Sequence, residues 1–207
     1  EIKYIMSLIF CFYMVTNAHS QFQLHGGAGL NLSNINVGDI PEGLTWIKTE
    51  AATNYFLSVR PEFKLSDRWS VGIDVQFSRK GYFQNDSNNN ESSDLRIQYF
   101  DLLPQVQYKI ANPISVYAGL GLGFRLSESF KVADAWQKAE NEISTPTDAS
   151  YLVGLRVFPM NKLSVHLQFA GSLVEFYYLE LTNQFGESLD LRTRLQNFQF
   201  GVAYRIL

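Results

Sequence analysis

Apolar and polar residues alternate along most of the chain, and this alternation predicts β-strands. Between Trp69 and Ser78, every second residue is apolar and the others are small or polar, which is the period of a strand with two unlike faces. Similar alternation occurs in seven further segments: 22–32, 55–65, 95–110, 113–126, 151–157, 163–173 and 197–206. The pattern therefore predicts eight strands, each of about the length that crosses a membrane.

One predicted strand, 95–110, changes phase along its length. Leu95, Ile97 and Tyr99 form its first apolar set, whereas from Phe100 onward the apolar residues stand at even-numbered positions. One extra residue in a strand, a β-bulge, produces such a shift. We therefore predict a bulge in this strand after Tyr99.

The connections between the predicted strands alternate between short and long. Segments 66–68, 111–112 and 159–162 are tight turns, whereas the connections near 33–54, 82–94, 127–148 and 177–192 are long and polar. In an up-and-down sheet, every second connection lies at the same end. The predicted fold is therefore all-β, an eight-stranded antiparallel up-and-down transmembrane β-barrel with short periplasmic turns and long extracellular loops.

The two faces of the strands decide between a membrane barrel and a soluble one. The polar face carries charges that a dry core excludes, whereas a narrow lumen allows them to pair across the barrel. We assign ten residues to this lumen network: Arg60, Glu62, Lys64, Asp74, Asp101, Lys109, Arg125, Arg156, His166 and Arg205.

The apolar face then contacts lipid. Aromatic residues near the ends of membrane strands form girdles at the two interfaces. The predicted girdle residues are Phe22, Tyr55, Phe63, Trp69, Phe77, Tyr99, Tyr108, Phe124, Tyr151, Phe198 and Tyr204.

Composition and the first twenty residues agree with an exported protein. The formal net charge of −3 argues against binding nucleic acid through phosphate contacts. Lys3, the apolar run 4–15 and Ala18-His19-Ser20 are typical of a cleaved secretory signal peptide. We predict that residues 1–20 are removed and that 21–207 form one outer-membrane β-barrel domain, which retains no cysteine because Cys11 is the only one.

The long connections are acidic and contain one unusual segment. They hold fourteen Asp and Glu residues against three Lys and one Arg, which favours either a solvated surface or the binding of cations or basic proteins. In the third connection, apolar residues recur at helical spacing around Trp136 and predict a short amphipathic helix. An exposed Trp136 would be a loop anchor for a partner, whereas packing against neighbouring loops is the alternative.

Three segments carry a resemblance to a known family. Residues 26–31, 55–83 and 99–124 resemble the PorT-type outer-membrane β-barrel domain of exported bacterial proteins, with the eight-stranded architecture of OmpA- and OmpX-type barrels. The resemblance spans essentially the whole predicted mature chain. It implies an integral protein of the bacterial outer membrane, and some relatives are linked to protein secretion. No catalytic residue comes with it.

The histidines of the predicted mature chain do not indicate catalysis. His25 and His166 lie on strands separated by another strand, and zinc would require further ligands. A lipid-modifying enzyme needs Ser, His and carboxylate groups near the outer headgroups, whereas both histidines lie towards the predicted periplasmic end. We expect no catalytic residue, no metal and no cofactor.

The function predicted from these patterns is non-enzymatic. We expect a monomeric barrel without an open pore, embedded in outer-membrane lipid, with a structural, adhesion or partner-binding role through its extracellular loops. The partner would be an envelope or extracellular protein and not a nucleic acid. Two alternatives stay open: a soluble exported lipocalin-like carrier of a small apolar ligand, and a lipid-modifying outer-membrane barrel enzyme.

Overall fold

The computed structural model describes residues 21–37, 49–85, 92–132, 135–139, 144–176, 178–182 and 188–207. The predicted signal peptide lies outside these ranges and stays a prediction. Among the described residues, no helix has the length and apolarity of a membrane span. The strands are β1 (Phe22–Val37), β2 (Thr49–Lys64), β3 (Trp69–Asn85), β4 (Ser92–Ala111), β5 (Ile114–Val132), β6 (Ala135–Lys138), β7 (Thr147–Val157), β8 (Leu163–Ser172), β9 (Tyr178–Thr182) and β10 (Ser188–Arg205).

Eight long strands form a closed barrel. They follow the order β1-β2-β3-β4-β5-β7-β8-β10, and each is antiparallel to its neighbours. Antiparallel pairing of β1 with β10, from His25↔Arg205 to Val37↔Thr193, closes the ring and removes the sheet edges that would otherwise stay unpaired. The predicted fold class is confirmed, and each of the eight predicted segments supplies one barrel strand.

The outer face carries an apolar band of about membrane thickness. Outward apolar positions run from Trp69 to Phe77 in β3 and from Phe100 to Tyr108 in β4, close to the roughly 9–11 residues of a tilted membrane strand. β3 and β4 have 17 and 20 residues and continue beyond this band, where their outward residues include Arg79. β7 and β8 have only 11 and 10 residues, so the barrel wall is lower on their side.

The bulge predicted in β4 lies in the neighbouring strand instead. Gln98 pairs with Ser127 and Tyr99 pairs with Arg125, which leaves Leu126 of β5 as the extra residue. In β4 itself, odd-numbered residues from 95 to 107 are all buried, so its alternation is unbroken. The predicted position was therefore wrong by one strand. The apolar pattern of β4 changes because the barrel interior changes from apolar to polar at this height.

Apolar side chains fill the lumen at the loop end. This cluster, which we call the loop-end plug, consists of Ile35, Tyr82, Leu95, Ile97, Tyr99, Phe176 and Leu195. Phe176 follows the short strand β8 and is held from both sides, because its N–H donates to Thr193 O at 2.7 Å and its carbonyl accepts from Thr145 N at 2.9 Å. The segment after β8 thus closes the lower part of the wall and places an aromatic ring inside the barrel.

The predicted helix near Trp136 is wrong. Residues 135–138 form strand β6, which pairs with β5 from Ser129↔Lys138 to Val132↔Ala135. β5 extends beyond β7 and would leave backbone N–H and C=O groups unpaired there. The chain satisfies those groups by folding back as a hairpin, which outweighs the helical spacing of a few apolar residues.

Candidate functional site: the barrel interior and its two ends

A carboxylate lies between two arginines and a histidine in the lower half of the lumen. Glu62 Oε2 lies 3.3 Å from Arg60 Nε, 3.9 Å from Arg156 Nη1 and 3.9 Å from His25 Nε2. All four residues are at most 5% exposed. Because β1, β2 and β7 contribute these residues, the cluster ties strands from different parts of the barrel wall.

Arg156 is further positioned by an amide and a ring. Its Nη1 donates to Gln107 Oε1, and its guanidinium carbon lies 4.5 Å from the centroid of the Tyr117 ring. A side chain at Gly154 would overlap that ring, so glycine is the residue that permits this close approach. These contacts hold the Arg156 guanidinium in place by packing as well as by charge.

An amide chain crosses the middle of the lumen. Gln168 Nε2 donates to Gln199 Oε1 at 3.0 Å, and Gln199 Nε2 donates to Gln76 Oε1 at 3.1 Å. Gln76 Nε2 in turn donates to Asp74 Oδ2 at 3.3 Å. Because these residues stand on β8, β10 and β3, the chain joins strands on different sides of the lumen.

Lys80 connects two carboxylates below the plug. Its Nζ lies 2.9 Å from Asp101 Oδ1 and 3.7 Å from Asp148 Oδ2. Ser78 Oγ donates to Asp101 at 2.5 Å and Ser172 Oγ donates to Asp148 at 2.5 Å. The group is buried and spans β3, β4, β7 and β8. Hydrogen bonds to both carboxylates offset part of the desolvation that burying three charges costs.

A third buried ionic group flanks the bulge in β5. Arg125 Nη1 lies 3.4 Å from Glu128 Oε2, and Ser144 Oγ donates to the same carboxylate oxygen at 2.6 Å. Glu128 is 1% exposed, and Asp148 and Asp94 are also buried. Within the part of the chain that the structure describes, three of the carboxylates counted in the long connections are therefore enclosed by the protein rather than solvated.

The predicted lumen residues divide between the interior and its ends. Six of them are buried inside the barrel: Arg60, Glu62, Asp74, Asp101, Arg156 and His166. Arg125 belongs to the loop-end ion pair, while Lys64, Lys109 and Arg205 surround the turn-end opening. Sequence reasoning did not select Lys80 or Asp148, although Lys80 continues the inward phase of Asp74 and would have been found by extending β3 two residues further.

Ten of the eleven predicted girdle residues stand at outward positions. At the turn end, the Phe22 and Phe63 rings lie 5.1 Å apart and the Trp69 and Tyr108 rings 4.7 Å apart. Tyr99 is the exception, since it is 0% exposed within the loop-end plug. Its assignment to a girdle is wrong because its place in the alternation of β4 points it into the lumen.

Trp136 is half-buried on the hairpin of β6. The guanidinium carbon of Arg96 lies 3.6 Å from the centroid of its ring, so one face of the indole is covered by a cation from β4. The role of Trp136 as a loop anchor stays a prediction.

The turn end of the lumen is an open cavity. We call it the turn-end vestibule; its volume is about 790 Å³. Residues from strand ends and from all three short turns line it, including Gln23, His25, Glu62, Lys64, Asp67, Arg68, Ser70, Gln107, Lys109, Pro113, Ser115, Phe158, Met160, Lys162 and Arg205. In the described part of the chain, no three His, Cys, Asp or Glu side chains are grouped as a metal site would require.

The sequence also matches a family description over nearly its whole length. The outer membrane protein beta-barrel domain matches residues 6–205. The chain belongs to this family. Its members are outer-membrane barrels, so the predicted location in the bacterial outer membrane is confirmed. The alternative of a soluble lipocalin-like carrier is wrong, because the apolar face of this barrel is turned outward to lipid.

The chain is similar in structure to solved outer-membrane proteins, and the likeness to one of them reaches a TM-score of 0.50. Ail of Yersinia pestis, in complex with the heparin analogue sucrose octasulfate, aligns with a TM-score of 0.50 and 16% identity over 90% of this chain and 99% of that one. Neisserial surface protein A gives 0.47 and 12% over 88% and 96%, and OprG of Pseudomonas aeruginosa gives 0.47 and 11% over 90% and 96%. A search of curated protein sequences gives no match to the chain.

Proposed function

We propose that this outer-membrane barrel is non-enzymatic, has no open pore and acts by presenting its loop end to a protein partner. The loop-end plug is the observation that carries the proposal, since seven side chains at most 7% exposed fill the lumen there. An eight-stranded barrel has an interior just wide enough for side chains. We further propose that the protein is of the PorT type and works as a monomer in lipid.

The extended sheet above the apolar band supports a role in partner binding. β9 pairs with β10, and in the described residues its other edge has no strand beside it. Such an edge can accept a strand from a partner through main-chain hydrogen bonds. Residues 177–192 would then form the contact surface.

Charge favours a basic partner over a polyanion. The long connections hold fourteen Asp and Glu residues against four basic residues, and among the described residues three of these carboxylates, Asp94, Glu128 and Asp148, are buried. Ail was solved with a sulfated ligand, whereas an acidic loop end repels such ligands at low salt. We therefore propose a partner with a basic contact surface.

A lipid-modifying reaction has less support from the geometry. His25 and His166 are each 3% exposed and lie in the lumen rather than at the lipid surface. A general base must come within hydrogen-bond reach of its substrate, and a lipid on the outer face of the barrel cannot approach either ring.

Conductance tests the closed lumen. Purified residues 21–207 inserted into planar bilayers should give no steady single-channel current. The triple variant Ile97→Ala, Tyr99→Ala, Phe176→Ala should give measurable current if it still folds, as reported by heat-dependent gel mobility. A steady ohmic current through the unchanged protein would contradict the proposal.

Loop shortening tests partner binding. Replacing residues 177–192 by a short turn should abolish a cross-linked complex on intact cells while the barrel keeps its heat-dependent mobility. Shortening the connection 86–91 is the matched control and should leave the complex intact. If both shortened proteins retain the complex, the contact surface is not at β9.

A further inference from the structure

Five basic residues surround the turn-end vestibule. Lys64, Arg68, Lys109, Lys162 and Arg205 line it, and within the described residues none of them forms an ion pair. The two carboxylates in the lining are Asp67 and Glu62. Glu62 is already paired with the buried Arg60 at 3.3 Å. The rim therefore carries a surplus of positive charge.

Backbone hydrogen bonds fix these cations next to one another. Lys109 N donates to Arg68 O at 2.8 Å, which holds the turn after β2 against the end of β4. Arg205 N donates to Lys162 O at 2.7 Å, which holds the turn after β7 against the end of β10. Each turn cation thus stands beside a strand-end cation before any ligand arrives, and this reduces the ordering cost of binding.

Two of the cations converge on a neutral amide. With its amide oxygen turned towards them, Gln23 accepts from Lys64 Nζ at 3.0 Å and from Arg205 Nη1 at 3.1 Å. An anionic oxygen accepts stronger hydrogen bonds from Lys64 and Arg205 than the neutral amide oxygen does. The amide holds the two side chains where such an oxygen would bind.

The floor of the vestibule holds a buried group without a hydrogen bond. His25 lines the cavity and is 3% exposed, and neither of its ring nitrogens has a hydrogen-bond partner among the described atoms. Its Nε2 lies 3.9 Å from Glu62 Oε2, beyond hydrogen-bond distance. Leaving a buried polar atom unsatisfied costs about 1–3 kcal/mol, which a ligand acceptor or donor at the floor would offset.

We propose that the turn-end vestibule binds a diphosphate-bearing ligand from the periplasmic side. Five cations less Asp67 leave a surplus of 5 − 1 = 4 charges, and one phosphate ester carries about −1.5 to −2 at neutral pH. Two phosphate groups therefore match the rim, whereas four carboxylates would be needed for the same charge. The 790 Å³ volume is that of a small-molecule site.

The rest of the ligand has a distinct surface to contact. Between β5 and β7 the basic rim is interrupted by Pro113, Phe158 and Met160, and Phe158 N donates to Pro113 O at 2.9 Å. A less polar part of the ligand would pack there. Two phosphate groups are available from a soluble diphosphate or from the headgroup of cardiolipin in the inner leaflet.

Titration calorimetry with inorganic pyrophosphate tests the site. Residues 21–207 in a non-ionic detergent should bind pyrophosphate saturably, and the triple variant K64Q/K109Q/R205Q should bind at least about tenfold more weakly, since each lost charge-assisted hydrogen bond contributes about this factor. The control R79Q/R96Q/R194Q removes the same charge at the other end and should bind as the unchanged protein does.

Folding of both variants is checked by heat-dependent gel mobility. Equal weakening in both triple variants would overturn the proposal, because net charge and not the vestibule would then govern binding. Absence of saturable binding to the folded, unchanged protein would overturn it as well. Variants with fewer changes, K109Q and R205Q singly, provide the same test if the triple variant does not fold.

Lipid nanodiscs separate the two sources of the ligand. Pyrophosphate affinity that is equal in neutral phosphatidylcholine discs and in discs with cardiolipin, whose headgroup carries two phosphates, supports a soluble ligand. Affinity that falls in the anionic discs supports a headgroup that competes for the same cations. Either result requires binding in the neutral discs, and its absence there would contradict the proposal.

Discussion

The two ends of the lumen are built by the same eight strands and yet differ in packing, in charge and in access to solvent. At the loop end, seven apolar side chains fill the interior. At the turn end, five cations that form no ion pair with any described residue surround an open cavity of about 790 Å³. The strand alternation decides which residues point inward, but it does not decide what the inward residues do. Their chemistry along each strand makes one end a packed core and the other a polar surface.

Two lysines illustrate this difference. Lys80 is 6% exposed and lies between Asp101 and Asp148, whereas Lys109 stands at the turn-end opening with no ion pair among the described residues. A buried charge depends on its partners, while a solvated one does not. The same residue type therefore contributes to stability at one height and is available for binding at another.

The largest expected effect comes from removing the buried lysine. Lys80→Met leaves two facing carboxylates without their cation and should lower the free energy of unfolding by about 3–5 kcal/mol. Lys109→Met should change it by less than about 0.5 kcal/mol. Urea titration of protein folded in lipid vesicles, followed by tryptophan fluorescence, measures both. Similar losses for the two variants would remove the distinction between the ends.

A smaller effect is expected within the plug. Ile97 is 0% exposed, and Ile97→Ala should cost about 2–5 kcal/mol because a cavity remains. Ile73→Ala, on the outward face, should cost about 1–2 kcal/mol less, since lipid fills the space and the cavity contribution is absent. The same urea titration compares them. If Ile73→Ala costs as much as Ile97→Ala, the plug is not packed as a core.

Overpacking tests the contacts that position Arg156. Gly154→Ala would place a methyl group against the Tyr117 ring and displace the stacked Arg156, at a cost of about 1–3 kcal/mol. Gly26→Ala is the matched control, since its nearest neighbour is the flexible end of Ile206 at 3.3 Å. Urea midpoints of the two variants should differ clearly. Equal midpoints would mean that the Tyr117 ring can move aside without cost.

The smallest effect is expected outside the barrel wall. Trp136→Leu removes the ring beneath Arg96 and should cost about 0.5–1 kcal/mol. A double-mutant cycle with Arg96→Gln isolates this contribution. A coupling energy near zero would show that the stacked pair adds nothing to the loop end.

The polarity of individual residues predicts most of the inward and outward positions of the strands. The wrong assignments occur where a residue type is stable in two different environments. The alternation correctly predicts that Arg60, Asp74 and Arg156 face the lumen, because a charged side chain in a membrane-spanning strand is excluded from lipid. Tyr99 is different, because an apolar side chain of a membrane barrel can face either lipid or the loop-end plug. Only its position two residues before the inward Asp101 shows that it faces the lumen. Which of these environments exists depends on Phe176, which is distant in sequence and brought there by the short β8.

The hairpin of β6 was beyond reach for another reason. Four residues are too few to separate a period of two from one of 3.6, and the deciding factor was the backbone of β5 left unpaired above β7. The basic vestibule was equally hidden, since its cations come from three strand ends and two turns that the register alone brings together.

The bulge at Leu126 reverses which positions of β5 face the lumen. Before it, odd-numbered residues such as Gly123 and Arg125 face the lumen, and after it the even-numbered Glu128 does. Deletion of this one residue would move every later side chain of β5 to the opposite face of the barrel wall, while the membrane-level part of the strand would stay unchanged. In a relative that lacks one residue at this position, the same residues after the gap would therefore face the opposite side of the wall at the loop end.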